Sequence, residues 1–292
     1  MKFHRVDGKV VPVNESSISP SGTSATLLSV LQDNPPDDED AQKRNLPFQP
    51  RSYRDFMLFE RHYYGAAMGM SQLYMPMANR LGRLFKAITG WDFPLFKPAA
   101  LWYKQPIFYQ SNHLAFYADG ASITYPAFSE YLDVELELGV VLGKPLYNAT
   151  PEEATDAIAG FCVFNDFSSR NRQMEEMSSG FGPQHSKAFA NSISSVVVSA
   201  DEVLPCIDQL SGRITINDKV VQEPKIDRWQ FSIGEALSHV SKSTHLHPGE
   251  FFGSGTFPDG ADTHFQLRVG DVVTLEIDGI GSVTNKIVGE ES

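Results

Sequence analysis

Along residues 133–143 acidic and aliphatic side chains alternate, in the order Asp133-Val134-Glu135-Leu136-Glu137-Leu138-Gly139-Val140-Val141-Leu142-Gly143. A period of two predicts a strand whose successive side chains point to opposite faces. Val134, Leu136 and Leu138 then share one face, and Asp133, Glu135 and Glu137 the other. Three carboxylates in a row on one face repel, so either water or a divalent cation compensates them. Oxygen ligands at i and i+2 are a natural pair for such a cation. On this stretch alone a solvated strand face is the commoner outcome, because exposed acids are the norm.

Upstream, residues 3–13 predict a hairpin turning at Asp7-Gly8, with Val10, Val11 and Val13 on the return strand. From Asn14 to Pro50 the chain is polar and carries prolines, with an acidic stretch over 33–40, and reads as a surface loop or mobile linker. Within it Ala25–Leu31 is apolar enough for a short helix or strand. Between Ser52 and Leu84 the pattern turns helical: Phe56, Phe59 and Tyr63 recur at helical spacing, and Ser52 or Asp55 is a candidate cap. Met68, Met70, Met75 and Met77 make this region either a helix packed on a core or a lid over a pocket. Trp91–Tyr109, with three prolines, predicts short strands and turns.

Downstream of the acidic strand, Thr150 reads as an N-cap, Pro151 as the first helical residue and Glu153 as the partner in a capping box, for a helix running to about Ile158. An apolar strand over Phe161–Asn165 then ends in Asn165-Asp166-Phe167-Ser168-Ser169-Arg170, a polar run at a sheet rim. Short strands over Val196–Val198, Arg213–Ile216 and Val220–Gln222 follow, then a helix over Phe231–Val240. A tight turn at His247-Pro248-Gly249-Glu250 and a closing hairpin from Val269 to Gly281 complete the chain. Many short strands with few helices predict an α+β, mainly β architecture.

The chain has 292 residues, 41% of them hydrophobic, enough for one large domain or two small ones. A net charge of −12 argues against nucleic acid or an anionic membrane as the partner. Cys162 and Cys206 are too few for a disulfide scaffold and fit a reducing compartment. Residues 1–8 lack the apolar core of a signal peptide and no apolar run is long enough for a bilayer, so a cytoplasmic location is expected.

Glu135 and Glu137 on one strand, with Asp166 at the end of another, make an all-oxygen set of the kind that holds Mg²⁺, Ca²⁺ or Mn²⁺. No Cys or His cluster has the spacing of a zinc site. Lys187 and Arg170 are candidates for binding an anionic substrate, though either alone reads more often as an ordinary surface cation. His62, in the lid region, is a candidate general base, though a lone histidine on such a helix is more often structural. Gly-x-Ser-x-Gly is absent, and Gly253-Ser254-Gly255-Thr256 is too short for a phosphate loop.

Five motifs in order give the chain a resemblance to the fumarylacetoacetate hydrolase family, from about Phe108 to Ile287. They are Glu135-Leu136-Glu137-Leu138 through Gly143, Asn165-Asp166-Phe167-Ser168-Ser169-Arg170, Lys187-Ala188-Phe189, His247-Pro248-Gly249-Glu250 through Gly255-Thr256, and Gly270-Asp271-Val272-Val273 with Gly279-Ile280-Gly281 and Asn285. A weaker echo covers Asp55 to His62. The resemblance implies a mixed β-sandwich roll over residues 96–292, preceded by an N-terminal region, 1–95, that carries the lid helix. It further implies a homodimer, with Mg²⁺ or a similar cation (Mn²⁺, Ca²⁺) on Glu135, Glu137 and Asp166, and Asp55 as a fourth ligand. His62 is then the base, with Lys187 catalytic beside it and Arg170, Gln173 and Thr256 contacting substrate. One departure stands out: small acylpyruvases carry a glutamate three residues after this histidine, and here that position is Gly65. Glu60, two residues before His62, would orient it only if the stretch were not helical. Met57 also replaces a tyrosine of the fumarylacetoacetase pattern. The activity implied is metal-dependent hydrolysis of a C–C bond in a β-dicarbonyl, acylpyruvate-like keto acid, with decarboxylation, isomerisation or hydration of a related acid as the alternative. Loss of catalysis with ligand binding retained ranks last, because the three carboxylates and Lys187 are all present.

Overall fold

The acidic stretch does not form one strand. It is divided into Leu132–Asp133 and Leu136–Leu142, with Val134 and Glu135 between them. The computed structural model describes residues 1–13, 20–37, 40, 43, 45–259 and 265–290. Leu136–Leu142 lies inside the larger of three sheets. From edge to edge that sheet runs Lys9–Pro12, Lys2–Val6, Val196–Ser199, Ile158–Asp166, Leu136–Leu142, Phe251–Gly253, Tyr53–Phe56 and Phe108–Gln110, with Asn191–Ile193 and Phe116–Tyr117 joined off this path. The second sheet runs Lys219–Gln222, Gly212–Ile216, Val272–Ile277, Gly281–Val288 and Ser122–Thr124. Strands dominate, and the class is the α+β, mainly β one expected.

Both faces of Leu136–Leu142 are buried, so the alternation divides two interiors rather than core from solvent. Leu136, Leu138, Val140 and Leu142 pack in a core with Ile214, Leu275, Val283 and Ile287 of the second sheet. Val141, on the other face, packs with Phe164 and Phe251 and with Leu27, Val30 and Leu31 of helix α1 (Gly22–Asp33). Tyr53 anchors this second cluster by edge-on contacts to Phe116 and Phe164, with centroids 5.3 and 5.4 Å apart. Asp133, Glu135 and Glu137 are 0%, 4% and 1% exposed, which rules out the solvated face.

Two expectations need correction. The segment expected as a linker is part of the core. Leu27, Val30 and Leu31 recur at i, i+3 and i+4, so α1 buries an apolar stripe, and Leu46 and Phe48 are fully buried behind it. Of the acidic stretch, Asp38 and Glu39 lie outside the described residues. The helix expected from Ser52 starts later, because Tyr53–Phe56 is a strand, followed by α2 (Glu60–Tyr74) and α3 (Pro76–Thr89). Asp55 is therefore no cap: it is 3% exposed and points into the sheet's interior face.

Other local signals hold. Asp7 and Gly8 adopt φ of 48° and 76°, the positive values a tight hairpin turn requires. Helix α4 (Pro151–Asp156) has both capping-box bonds, Glu153 N to Thr150 Oγ1 at 3.2 Å and Thr150 N to Glu153 Oε2 at 2.8 Å. Strands from before and after residue 95 share one ladder, since Phe251–Gly253 pairs in parallel with Tyr53–Phe56. Among the described residues no helix is long and apolar enough to cross a membrane.

Candidate metal centre and its cavity

Sheet register brings three carboxylates together. Gly253 pairs with Gly139 on one side and with Asp55 on the other, so Asp55 lies level with Gly139, two residues along the same face from Glu137. Glu137 pairs with Phe164, which is two residues from Asp166 on that face again. Asp55, Glu137 and Asp166 thus converge from three strands, each offering an oxygen within 4.8 Å of the others. Gly253 makes this possible. A Cβ there would overlap Asp55 Oδ1 and lie 2.7 Å from Glu137 Oε2.

Two of these oxygens, Asp55 Oδ1 and Asp166 Oδ1, are buried with no hydrogen-bond partner. Burying carboxylates without partners is costly, and a cation bound by all three relieves it. The same stress shows in acidity. Burial, against the pull of Lys187, pushes Asp55 up to about 6. Burial and then Asp55 and Asp166 hold Glu137 well above the usual carboxylate range, and burial with Asp55 and Glu135 does the same to Asp166 in spite of Lys187. The donor set fits a hard divalent cation.

Glu135, expected as a ligand, lines the same cavity but is not in this trio. Its carboxylate accepts from Arg170 Nη1 and from Lys187 Nζ. Burial alone would raise its pKa, but Lys187 and Arg170 override it and hold the group ionised well below the carboxylate range. Lys187 also donates to Asp166 and, at 2.9 Å, to Ser168 Oγ. Arg170 opens α5 (Arg170–Ser178), donates from Nε to Asp133 at 2.8 Å and from Nη1 to Gln173 at 3.0 Å. Its Nη2 is buried with no partner. Gln173 and Thr256 line the cavity, and Thr256 Oγ1 donates to Glu137 at 3.2 Å.

His62 sits in the first turn of α2, 4% exposed, and lines this cavity. Burial, reinforced by Arg170 and Lys187 against Glu135, lowers its pKa to about 4, so the ring is neutral at physiological pH. Arg61 pins this turn to Asp259 at 2.5 Å. Glu60 is the correction here. It is the first residue of a true helix, exposed, and its carboxylate accepts from the Tyr103 hydroxyl, so it does not reach His62. Three roles escape a reading of the sequence. Gly253 lets the acids meet, Tyr109 donates to Asp166 at 2.6 Å, and Asp133 pairs with Arg170. Each position carries a signal but not its role: Asp133 lies in the acidic stripe, Gly253 within the motif from His247 to Thr256, and Tyr109 among aromatics that could wall a pocket.

Residues 93–288 match the fumarylacetoacetate (FAA) hydrolase C-terminal family. The chain belongs to this family. Its relatives include the fumarylacetoacetate hydrolase domain-containing protein 2 homolog of Dictyostelium discoideum, 31% identical over 198 residues that cover 63% of this chain. The match spans just under two thirds of that protein, 64%. A mitochondrial oxaloacetate tautomerase of Mus musculus is 30% identical over 188 residues, covering 64% of this chain and 83% of that protein. The crystal structure of fumarylpyruvate hydrolase from Pseudomonas aeruginosa, in complex with Mn²⁺ and pyruvate, superposes with a TM-score of 0.61 at 18% identity, over 94% of this chain and 100% of that one. At that identity it establishes the shared fold. The fumarylacetoacetate hydrolase family is enzymatic and its members use divalent cations, and the acid trio is a candidate seat for one in this chain.

Proposed function

We propose that this chain is a divalent-cation-dependent enzyme that hydrolyses a C–C bond in a β-dicarbonyl, acylpyruvate-like keto acid. The observation that supports it most is the buried trio of Asp55, Glu137 and Asp166, with two unpartnered oxygens, of which Asp55 and Glu137 line one cavity with a neutral histidine, an arginine and a lysine. Asp55, Glu137 and Asp166, with Glu135 beside them, would hold Mg²⁺, Mn²⁺ or Ca²⁺. Such an ion supplies Lewis-acid polarisation of the substrate's keto-acid oxygens.

The chain's own residues divide the remaining work. The neutral imidazole of His62 makes no hydrogen bond among the described residues, so it is free to take a proton from water as the water oxygen bonds to the distal carbonyl carbon. Collapse of that adduct breaks the C–C bond. The electron pair leaves on the keto-acid half as an enolate beside the Lys187 ammonium, and the proton on His62 is returned to the enolate carbon. Arg170 Nη2, which has no partner, would hold the substrate's carboxylate with Gln173, while Thr256 keeps its hydroxyl on Glu137.

A second reading, tautomerisation, isomerisation or decarboxylation of such an acid, is favoured by one observation. Gly65 offers no carboxylate and Glu60 is committed to Tyr103, so His62 lacks the acidic partner that would strengthen it as a water-activating base. Moving a proton between carbon and oxygen asks less of it. Product analysis by NMR separates the two: hydrolysis of an acylpyruvate yields pyruvate and a second acid, whereas tautomerisation leaves the mass unchanged and decarboxylation releases CO₂.

A further inference from the structure

The same cavity carries information about the substrate's far end, on the premise that the substrate is a keto acid as proposed. The cavity holds about 430 Å³. Two helices border it, and both begin at its charged end, α2 with His62 and α5 with Arg170. At a rise of about 1.5 Å per residue, α2 carries the lining from His62 to Met70 some 12 Å away, and α5 from Arg170 to Met177 about 10 Å away. Past Gln173, which lies beside Arg170 at the charged end, the lining is Tyr63, Ala66, Ala67 and Met70 on one helix and Met174 and Met177 on the other. Ile107, Phe108 and Trp102 close it, and the Trp102 indole N–H is already given to Met57 O at 2.7 Å. Phe181, 85% exposed at the rim, would be covered by whatever fills this space.

Charge is confined to the other end. Among the described residues lining the cavity, the cations are Arg170 and Lys187, and both already face carboxylates. A second carboxylate carried into the far half would lose its water and find no donor of opposite charge, a costly transfer. An alkyl or aryl group would meet thioethers and rings, and methionines adapt to varied apolar shapes. We infer that the substrate is a keto monoacid with an apolar acyl tail lying along α2 and α5, and that dicarboxylic keto acids are excluded.

The test uses the 292-residue chain loaded with Mn²⁺ and reads binding apart from turnover. Calorimetric titration with 2-oxobutanoate, 2-oxohexanoate, 2-oxooctanoate and 2-oxoglutarate measures the tail preference without any reaction. Affinity is expected to rise about fourfold per added methylene until the tail is covered, and 2-oxoglutarate is expected to bind at least tenfold more weakly than 2-oxohexanoate. Met177→Arg, at a position 43% exposed and so tolerant of a larger polar group, is expected to narrow that gap at least tenfold. Flat affinity along the series, tighter binding of 2-oxoglutarate by the unaltered protein, or an unchanged ratio in M177R would each overturn the inference. Acylpyruvate turnover measured alongside keeps the two claims apart. Apolar preference with no turnover removes the proposed reaction and leaves the tail, whereas turnover with a preference for dicarboxylates removes the tail and leaves the reaction.

Discussion

His62 shows how much a single side chain depends on where the fold puts it. An exposed imidazole titrates near 6.5, and burial moves this one to about 4. If it is the base, the acid limb of kcat/KM falls near pH 4 rather than near 6.5, and His62→Asn lowers kcat by about 10²–10⁴-fold and removes that limb. Full activity in H62N would take the role from His62. The same shift has a stability consequence. The folded protein binds fewer protons than the unfolded chain between pH 4 and 6.5, so the His62 contribution is present above 6.5 and lost as pH falls toward 4. Lowering the ring from 6.5 to about 4 corresponds to about 3 kcal/mol. Denaturant melts at pH 4.5 and 7 are therefore expected to differ less in H62N than in the unaltered protein. At this scale the sequence is informative about identity and poor about geometry. Glu137 and Asp166 stand out from their motifs, but nothing in residues 60–65 reveals that Glu60 turns outward to Tyr103, a partner some forty residues away.

Among elements, the short strand Phe251–Gly253 does more for the site than its length suggests. It separates the strands that carry Asp55 and Glu137, and it ends in the one residue that leaves room between their carboxylates. Gly253→Ala would force a methyl group into both. It is expected to cost about 1–3 kcal/mol of stability through overpacking and to weaken Mn²⁺ binding at least tenfold, read by thermal melts and by titration. Native affinity in G253A would show that the trio is not the cation's seat. Thr150→Ala, which removes a cap with both bonds formed, is expected to cost about 1 kcal/mol and leave Mn²⁺ affinity unchanged. Signals such as the Thr150 capping box and the Asp7-Gly8 turn are legible because they are local. The strand Tyr53–Phe56 is hidden because Phe56, Phe59 and Tyr63 also fit a helix, and it is pairing with Phe108–Gln110 and with Phe251–Gly253, two hundred residues on, that decides between them.

Across the molecule, the family match begins at residue 93, yet the larger sheet and the site both draw on residues before it. Asp55, His62 and the buried Tyr53, Leu46 and Phe48 all come from the first third of the chain. A fragment of residues 93–288 is therefore expected to lack a cooperative melt and to bind no Mn²⁺; a folded, Mn²⁺-binding fragment would contradict this. The segment 14–50 reads as a linker for the same reason: its polarity is real, but a few apolar residues at helical spacing suffice to cover a sheet face whose needs are written elsewhere. The most direct single measurement is turnover of an acylpyruvate by the 292-residue chain with Mn²⁺ and again with EDTA, products identified by NMR, beside Glu137→Gln. Metal-dependent formation of pyruvate and a second acid, lost in E137Q and with EDTA, is the result expected; turnover undiminished by EDTA or in E137Q would contradict the assignment of the buried carboxylates as the centre of the chemistry.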